Sequence, residues 1–115
     1  MRIRKEQMDV FELHMMRNYE KRVLRTIAKT YPERYERDGE DRICALIQAG
    51  VRKGERYGIT DDDDAERYIL MLVEHGADFE KKPEMAECLG ILEEKELPGD
   101  AKVSLIRRRL QSEGG

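Results

Sequence analysis

Four consecutive aspartates, Asp61, Asp62, Asp63 and Asp64, are the residues whose type first suggests chemistry. Calcium takes six to eight oxygens, usually from alternating loop positions with a central glycine and a distant bidentate glutamate. Here the acids are consecutive and no such glycine follows. On a helix they would fan round the axis and could not converge on one ion. The tetrad therefore reads as the start of a helix, or as an acidic patch for a basic partner, and no metal or other cofactor is expected.

The remaining reactive side chains are few. His14 and His75 are the only histidines. His14 neighbours the polar edge of a first helix. His75 falls in the last turn of a third, where a histidine suits the helix dipole. Neither has a Cys or Asp at ligand spacing. Cys44 and Cys88 each fall on an apolar helix face and read as buried free thiols; a disulfide would need their backbones within bonding range. Ser104 and Ser112 lie outside any nucleophile motif, and neither a phosphate loop nor a dinucleotide fingerprint occurs. No enzymatic activity is expected from these residues. Arg107, Arg108 and Arg109, with Lys102 one turn earlier, make a local basic patch. It reads as a solvated face pairing with Glu93-Glu94-Lys95-Glu96, or as a site for an acidic partner or phosphate.

The elements that must position these groups are helical. Met8, Phe11, Met15, Tyr19, Val23 and Ile27 step by three or four residues and predict a long helix from about Lys5 to Thr30. Tyr31-Pro32 ends it, because proline disfavours helix at the residue before it. Pro32 to Asp38 predicts a helical turn broken by Gly39. A helix from Glu40 to Tyr57 follows, with Ile43, Leu46, Ile47, Gly50 and Val51 on its face and Gly58 as its stop. Gly50 and Gly54 are costly inside a helix. They mean either close approach of a neighbouring helix or a weak, bent segment.

Thr60 is the expected N-cap of the next helix, whose apolar face is Ala65, Tyr68, Ile69, Leu72 and Val73 and whose end is Gly76. Phe79, in the loop beyond, is expected in the core. Pro83 opens a short helix carrying Met85, Cys88, Leu89 and Leu92. Asp100 caps a last helix with Val103, Ile106 and Leu110 on its face. Alternating β patterns are absent. The prediction is an all-α fold: a compact bundle of four main helices plus a short connector, with the long N-terminal helix as spine. Residues 1–111 form a single domain and 112–115 a frayed tail.

The chain has 115 residues, 22 basic and 25 acidic, for a net charge of −3 with both signs interleaved. That is the pattern of solvated helix faces and argues against a protein devoted to nucleic acid. No apolar run approaches bilayer length and no hydrophobic stretch follows the basic start, so a cytoplasmic protein without membrane contact is expected.

The order of short motifs adds a further expectation. Arg2-Ile3-Arg4 and Gln7-Met8 open the long helix, and Tyr57-Gly58-Ile59-Thr60, Arg67-Tyr68-Ile69, Gly76-Ala77-Asp78-Phe79 and Pro83 follow. This series resembles a group of small helical accessory proteins encoded in bacterial type VI secretion clusters, near spike-tip and effector genes. The resemblance spans most of the chain and carries no catalytic residue with it. It implies an adaptor or chaperone that holds an effector or spike component. The rivals are an immunity protein, its acidic run covering the basic site of a toxin, and a helical nucleic-acid regulator using Arg107 to Arg109 with Arg52, Lys53 and Arg56. Partner-binding residues expected on this reading are Met8, Met15, Met16, Tyr57, Ile59, Asp61, Asp62, Asp63, Asp64, Tyr68 and Phe79. Met8, Met15 and Met16 would either fill the core or offer an adaptable apolar stripe to the partner. Tyr57, Ile59, Tyr68 and Phe79 would be anchors, unless the core claims them.

Overall fold

The computed structural model of the chain describes residues 10–114, with side chains from 15 to 111. The part of the first helix expected before residue 10, and with it Met8, lies outside the described residues. The architecture is all-α, as the periodicity predicts: α1 (Val10–Thr30), α2 (Pro32–Asp38), α3 (Glu40–Arg56), α4 (Asp62–His75), α5 (Ala86–Glu93) and α6 (Gly99–Gly114). Two short 3-10 turns, Phe79–Lys81 and Pro83–Met85, join α4 to α5. No strand occurs among the described residues. Where the sequence predicts one domain, the chain divides into two compact units, with the boundary inside α3 between Gln48 and Ala49.

In the first unit α1 runs to Thr30, and Pro32 stands at the first position of α2. Gly39 closes α2 with φ of 86°, a conformation that only glycine adopts without strain. Val23 and Ile27 of α1 and Ile43 and Ile47 of α3 are its buried apolar side chains. Gln48 Nε2 donates to Glu20 Oε2 at 2.6 Å, tying α3 to α1.

In the second unit the end of α3 meets α4 closely. A Cβ on Gly50 would lie 2.8 Å from Ile69 Cγ1 and 3.1 Å from Leu72 Cδ1. Of the two alternatives for this glycine, close helix approach holds. Gly54 is looser, its nearest neighbour at 3.4 Å being the Ile59 carbonyl. Gly99 opens α6 directly against the Gly58 carbonyl, which a Cβ would approach to 2.7 Å. The core of this unit contains Ile59, Tyr68, Ile69, Leu72, Phe79, Leu92, Val103 and Ile106, all at most 1% exposed.

Several sequence expectations shift. Asp61, not Thr60, caps α4: its Oδ2 accepts from the N–H groups of Asp63 at 3.1 Å and Asp64 at 3.3 Å. Both residue types can cap, but a carboxylate also suits the positive end of the helix dipole. Asp100 sits inside the first turn of α6, where its carboxylate accepts from the adjacent Ala101 N–H at 2.9 Å. Pro83 opens a 3-10 turn, and the α-helix proper begins at Ala86. The backbone of α6 continues to Gly114 where a frayed tail is expected; nothing in Gln111-Ser112-Glu113 breaks a helix.

Candidate functional surfaces and a buried polar cluster

The second unit takes a few of its charged side chains inward. Lys53, on the last turns of α3, is 9% exposed, and Glu80, on the first 3-10 turn, is 0% exposed. Lys53 Nζ lies 2.6 Å from Glu80 Oε2 and donates to the Ala77 carbonyl at 2.7 Å and to Asp78 Oδ1 at 3.2 Å. The Tyr57 hydroxyl reaches the same Glu80 oxygen at 3.5 Å. Tyr68 presents its ring edge to Tyr57, with centroids 6.5 Å apart. Its buried hydroxyl and Glu80 Oε1 have no hydrogen-bond partner. Burial, followed by the Glu80 charge, pushes the Tyr68 phenol well above its ordinary range and the Tyr57 phenol upward.

Lys102 repeats the arrangement. It is 4% exposed, and its ammonium donates to the Tyr57 and Leu92 carbonyls, each at 2.7 Å. These are carbonyls at the C-terminal ends of α3 and α5, which helices leave without intrahelical partners. A lysine satisfies both and meets the negative ends of two dipoles at once. Lys102 is therefore part of the interior and leaves the expected basic patch. Sequence reasoning also missed Lys53 and Glu80 as a pair. Their local sequence carries no signal of it, since Lys53 stands in Arg52-Lys53-Gly54-Glu55-Arg56 and Glu80 in Asp78-Phe79-Glu80-Lys81-Lys82, both charged stretches.

The tetrad is divided by the helix start. Asp61 is spent on the cap, and Asp64 is buried and paired with Arg67 at 2.5 Å. Asp62 and Asp63 are exposed in the first turn of α4. Among the described residues no three His, Cys, Asp or Glu side chains converge as metal ligands. His75 is half-buried and lies 5.9 Å from the Phe79 ring. Cys88 is buried and Cys44 half-buried, and both are free thiols. Burial, with Glu20, Glu40 and Asp41 nearby, pushes the Cys44 thiol upward and so holds it in its less nucleophilic form.

Of the expected anchors, Ile59, Tyr68 and Phe79 are core residues, at 1%, 0% and 0% exposed, and cannot meet a partner in this fold. Their apolar mass is worth more in the interior than at a surface. Tyr57 is half-buried and engaged with Glu80. Met16 is half-buried, whereas Met15 is 53% exposed, more than Leu105, the other large apolar side chain at the surface among the described residues. Arg107 and Arg108 are exposed. Arg109 pairs with Glu87 of α5. With Lys53 interior, the proposed nucleic-acid face of Arg52, Lys53 and Arg56 loses its central cation.

The first unit has an open depression of about 460 Å³ lined by Thr30, Tyr31, Pro32, Glu33, Arg34 and Arg37. Arg34 in its wall is committed to Asp38 at 2.7 Å, and this pairing, through its hydrogen bond, holds the Asp38 carboxyl below its usual range. No helix of the described residues is long and apolar enough to cross a membrane.

Comparison with protein-family models, curated proteins and solved structures gives no match. The functional reading therefore rests on the residues themselves and on the motif resemblance.

Proposed function

We propose that this chain is a non-enzymatic protein–protein interaction module, an adaptor or chaperone for a type VI secretion effector or spike component. The motif resemblance supplies the context. One observation carries the module reading: α1 leaves Met15 at 53% exposure while Val23 and Ile27 of the same helix are at 0%. An apolar, adaptable side chain outside the core is a natural contact for a partner's apolar surface. The buried ionised groups of the second unit support the same reading, since Lys53, Glu80 and Lys102 are consumed by the fold.

The test is co-purification from the native host followed by mass spectrometry, using the natural chain and Met15→Lys. An effector or spike component should accompany the natural chain and be lost from the variant. Recovery of the chain alone would end the proposal. The immunity reading draws on Asp62 and Asp63, which are exposed in the first turn of α4. It predicts inhibition of a neighbouring toxin that Asp62→Lys with Asp63→Lys abolishes.

A further inference from the structure

On α1, Arg17, Lys21, Arg25 and Lys29 follow one another at every fourth residue, and all four are exposed. In an α-helix that spacing makes one ridge, here about 18 Å long. It runs about 160° round the axis from the row of Met15, Tyr19, Val23 and Ile27. Like charges four residues apart repel. A merely solvated helix face alternates acids with bases and avoids that repulsion, but this ridge contains no acid. Among the described residues the first unit's ion pairs join Arg34 and Arg37 to Asp38, and none engages the four ridge cations. The rows on either side add no exposed apolar side chain. On one, Asn18 and Arg22 are exposed and Thr26 is half-buried, with Arg22 over the Tyr19 ring at 5.0 Å. On the other, Glu20, Leu24 and Ala28 are all half-buried, and Glu20 accepts from Gln48.

We infer that this ridge docks the phosphate backbone of a double-stranded nucleic acid, without reading its bases, on a face separate from the Met15 contact of the interaction module. A protein partner would need an apolar centre from which charge is largely absent. The ridge offers four cations, with Asn18 and Arg22 beside them. An anionic membrane takes up a basic helix through that helix's apolar face. Here Val23 and Ile27 are 0% exposed, so that face is already spent on the core. A phosphate backbone needs neither, because cations bind it through charge and side-chain amides such as Asn18 through hydrogen bonds. Single strands gain most from exposed aromatic rings on which bases stack, and none stands on the ridge, which favours the duplex. Its four cations cover the axial length of about five base pairs. The chain's net charge of −3 makes such binding local and strongly dependent on salt.

The probes are two short duplex DNAs of unrelated sequence, each titrated with the full chain by fluorescence anisotropy across a salt series. A single strand and a glutamate-rich helical peptide are run beside them, and phosphatidylserine vesicles are tested by co-sedimentation. The two duplexes should bind equally well. Four phosphate contacts should cost the natural chain about a hundredfold in affinity between about 50 and 200 mM salt. Lys21→Gln with Arg25→Gln removes two contacts, and should bind more weakly at low salt and lose only about tenfold over the same range. Lys21→Glu with Arg25→Glu should abolish binding. Arg107→Glu with Arg108→Glu makes the same change in net charge on α6 and should keep the natural salt slope. Circular dichroism checks that each variant keeps its helices. No duplex binding at the lowest salt, an unchanged slope in the glutamine variant, or equal losses in the two reversed variants overturns the inference. A tenfold preference for one duplex overturns binding through the backbone alone. Tighter binding of the single strand, the peptide or the vesicles overturns the duplex as occupant.

Discussion

The two units handle charge in opposite ways. Among the described residues the second buries Lys53, Asp64, Glu80 and Lys102, each with a partner, with thirteen of the seventeen buried apolar residues. In the first, four apolar side chains are buried and, among the described residues, no charged one. Four of its cations, Arg17, Lys21, Arg25 and Lys29, recur at every fourth residue of α1 and are exposed. The difference teaches that a chain with 41% charged residues does not use them uniformly. Charge placed at helix ends inside the second unit satisfies backbone groups that nothing else reaches. Arg17, Lys21, Arg25 and Lys29 of the first unit are instead exposed.

Breaking the buried pair should have the largest effect. Lys53→Met leaves the Glu80 carboxylate buried without its cation, and should cost about 3–5 kcal/mol by urea denaturation. Replacing both partners with apolar residues should recover most of that loss. A small loss for the single variant would mean the interior is wetter than its burial implies.

Two glycines on one helix should then move stability in opposite directions. Gly50→Ala forces a methyl onto Ile69 and should cost about 1–3 kcal/mol. Gly54→Ala meets only ordinary contacts and should gain up to about 1 kcal/mol of helix propensity. Calorimetric melting distinguishes them.

The helix start gives a smaller contrast. Asp61→Ala should cost about 1 kcal/mol and Thr60→Ala no more than a few tenths. Equal costs would restore Thr60 as the cap.

Alkaline pH probes the same interior. A raised tyrosine pKa means that the folded state holds its proton more tightly than the unfolded chain. That contribution is fully present below the unfolded value of about 10 and is lost as pH rises toward the folded value. Stability should fall above about pH 10, and Tyr68→Phe should flatten the fall without harming stability near neutrality, since its hydroxyl has no partner. Urea midpoints measured across that range test the sign.

The smallest stability effect belongs to the first unit. Lys21→Gln with Arg25→Gln should change folding by less than about 0.5 kcal/mol, or stabilise slightly by relieving repulsion. A large loss would make the ridge structural and erase the contrast between the units.

Much of the fold is legible along the chain. Pro32, Gly39, Gly58 and Gly76 punctuate the helices where expected, with positive φ at the three glycines. Ile43, Ile47, Tyr68, Ile69, Leu72, Val103 and Ile106 fall on the faces their spacing predicts and are buried. The site was legible only in part. Met15 is exposed, whereas Ile59, Tyr68 and Phe79 go to the core because the interior gains more from their apolar area than a surface could.

By itself, then, the sequence determined the helices, their ends and their apolar stripes, because periodicity, proline, glycine and caps act over a few residues. Only the tertiary structure decided that Gly50 and Gly99 admit a neighbouring element and that Lys53 and Lys102 turn inward while the cations of α1 stay outside. Those outcomes depend on carbonyls and carboxylates brought close from distant parts of the chain, where loss of water makes an unpaired charge costly and a partner decisive.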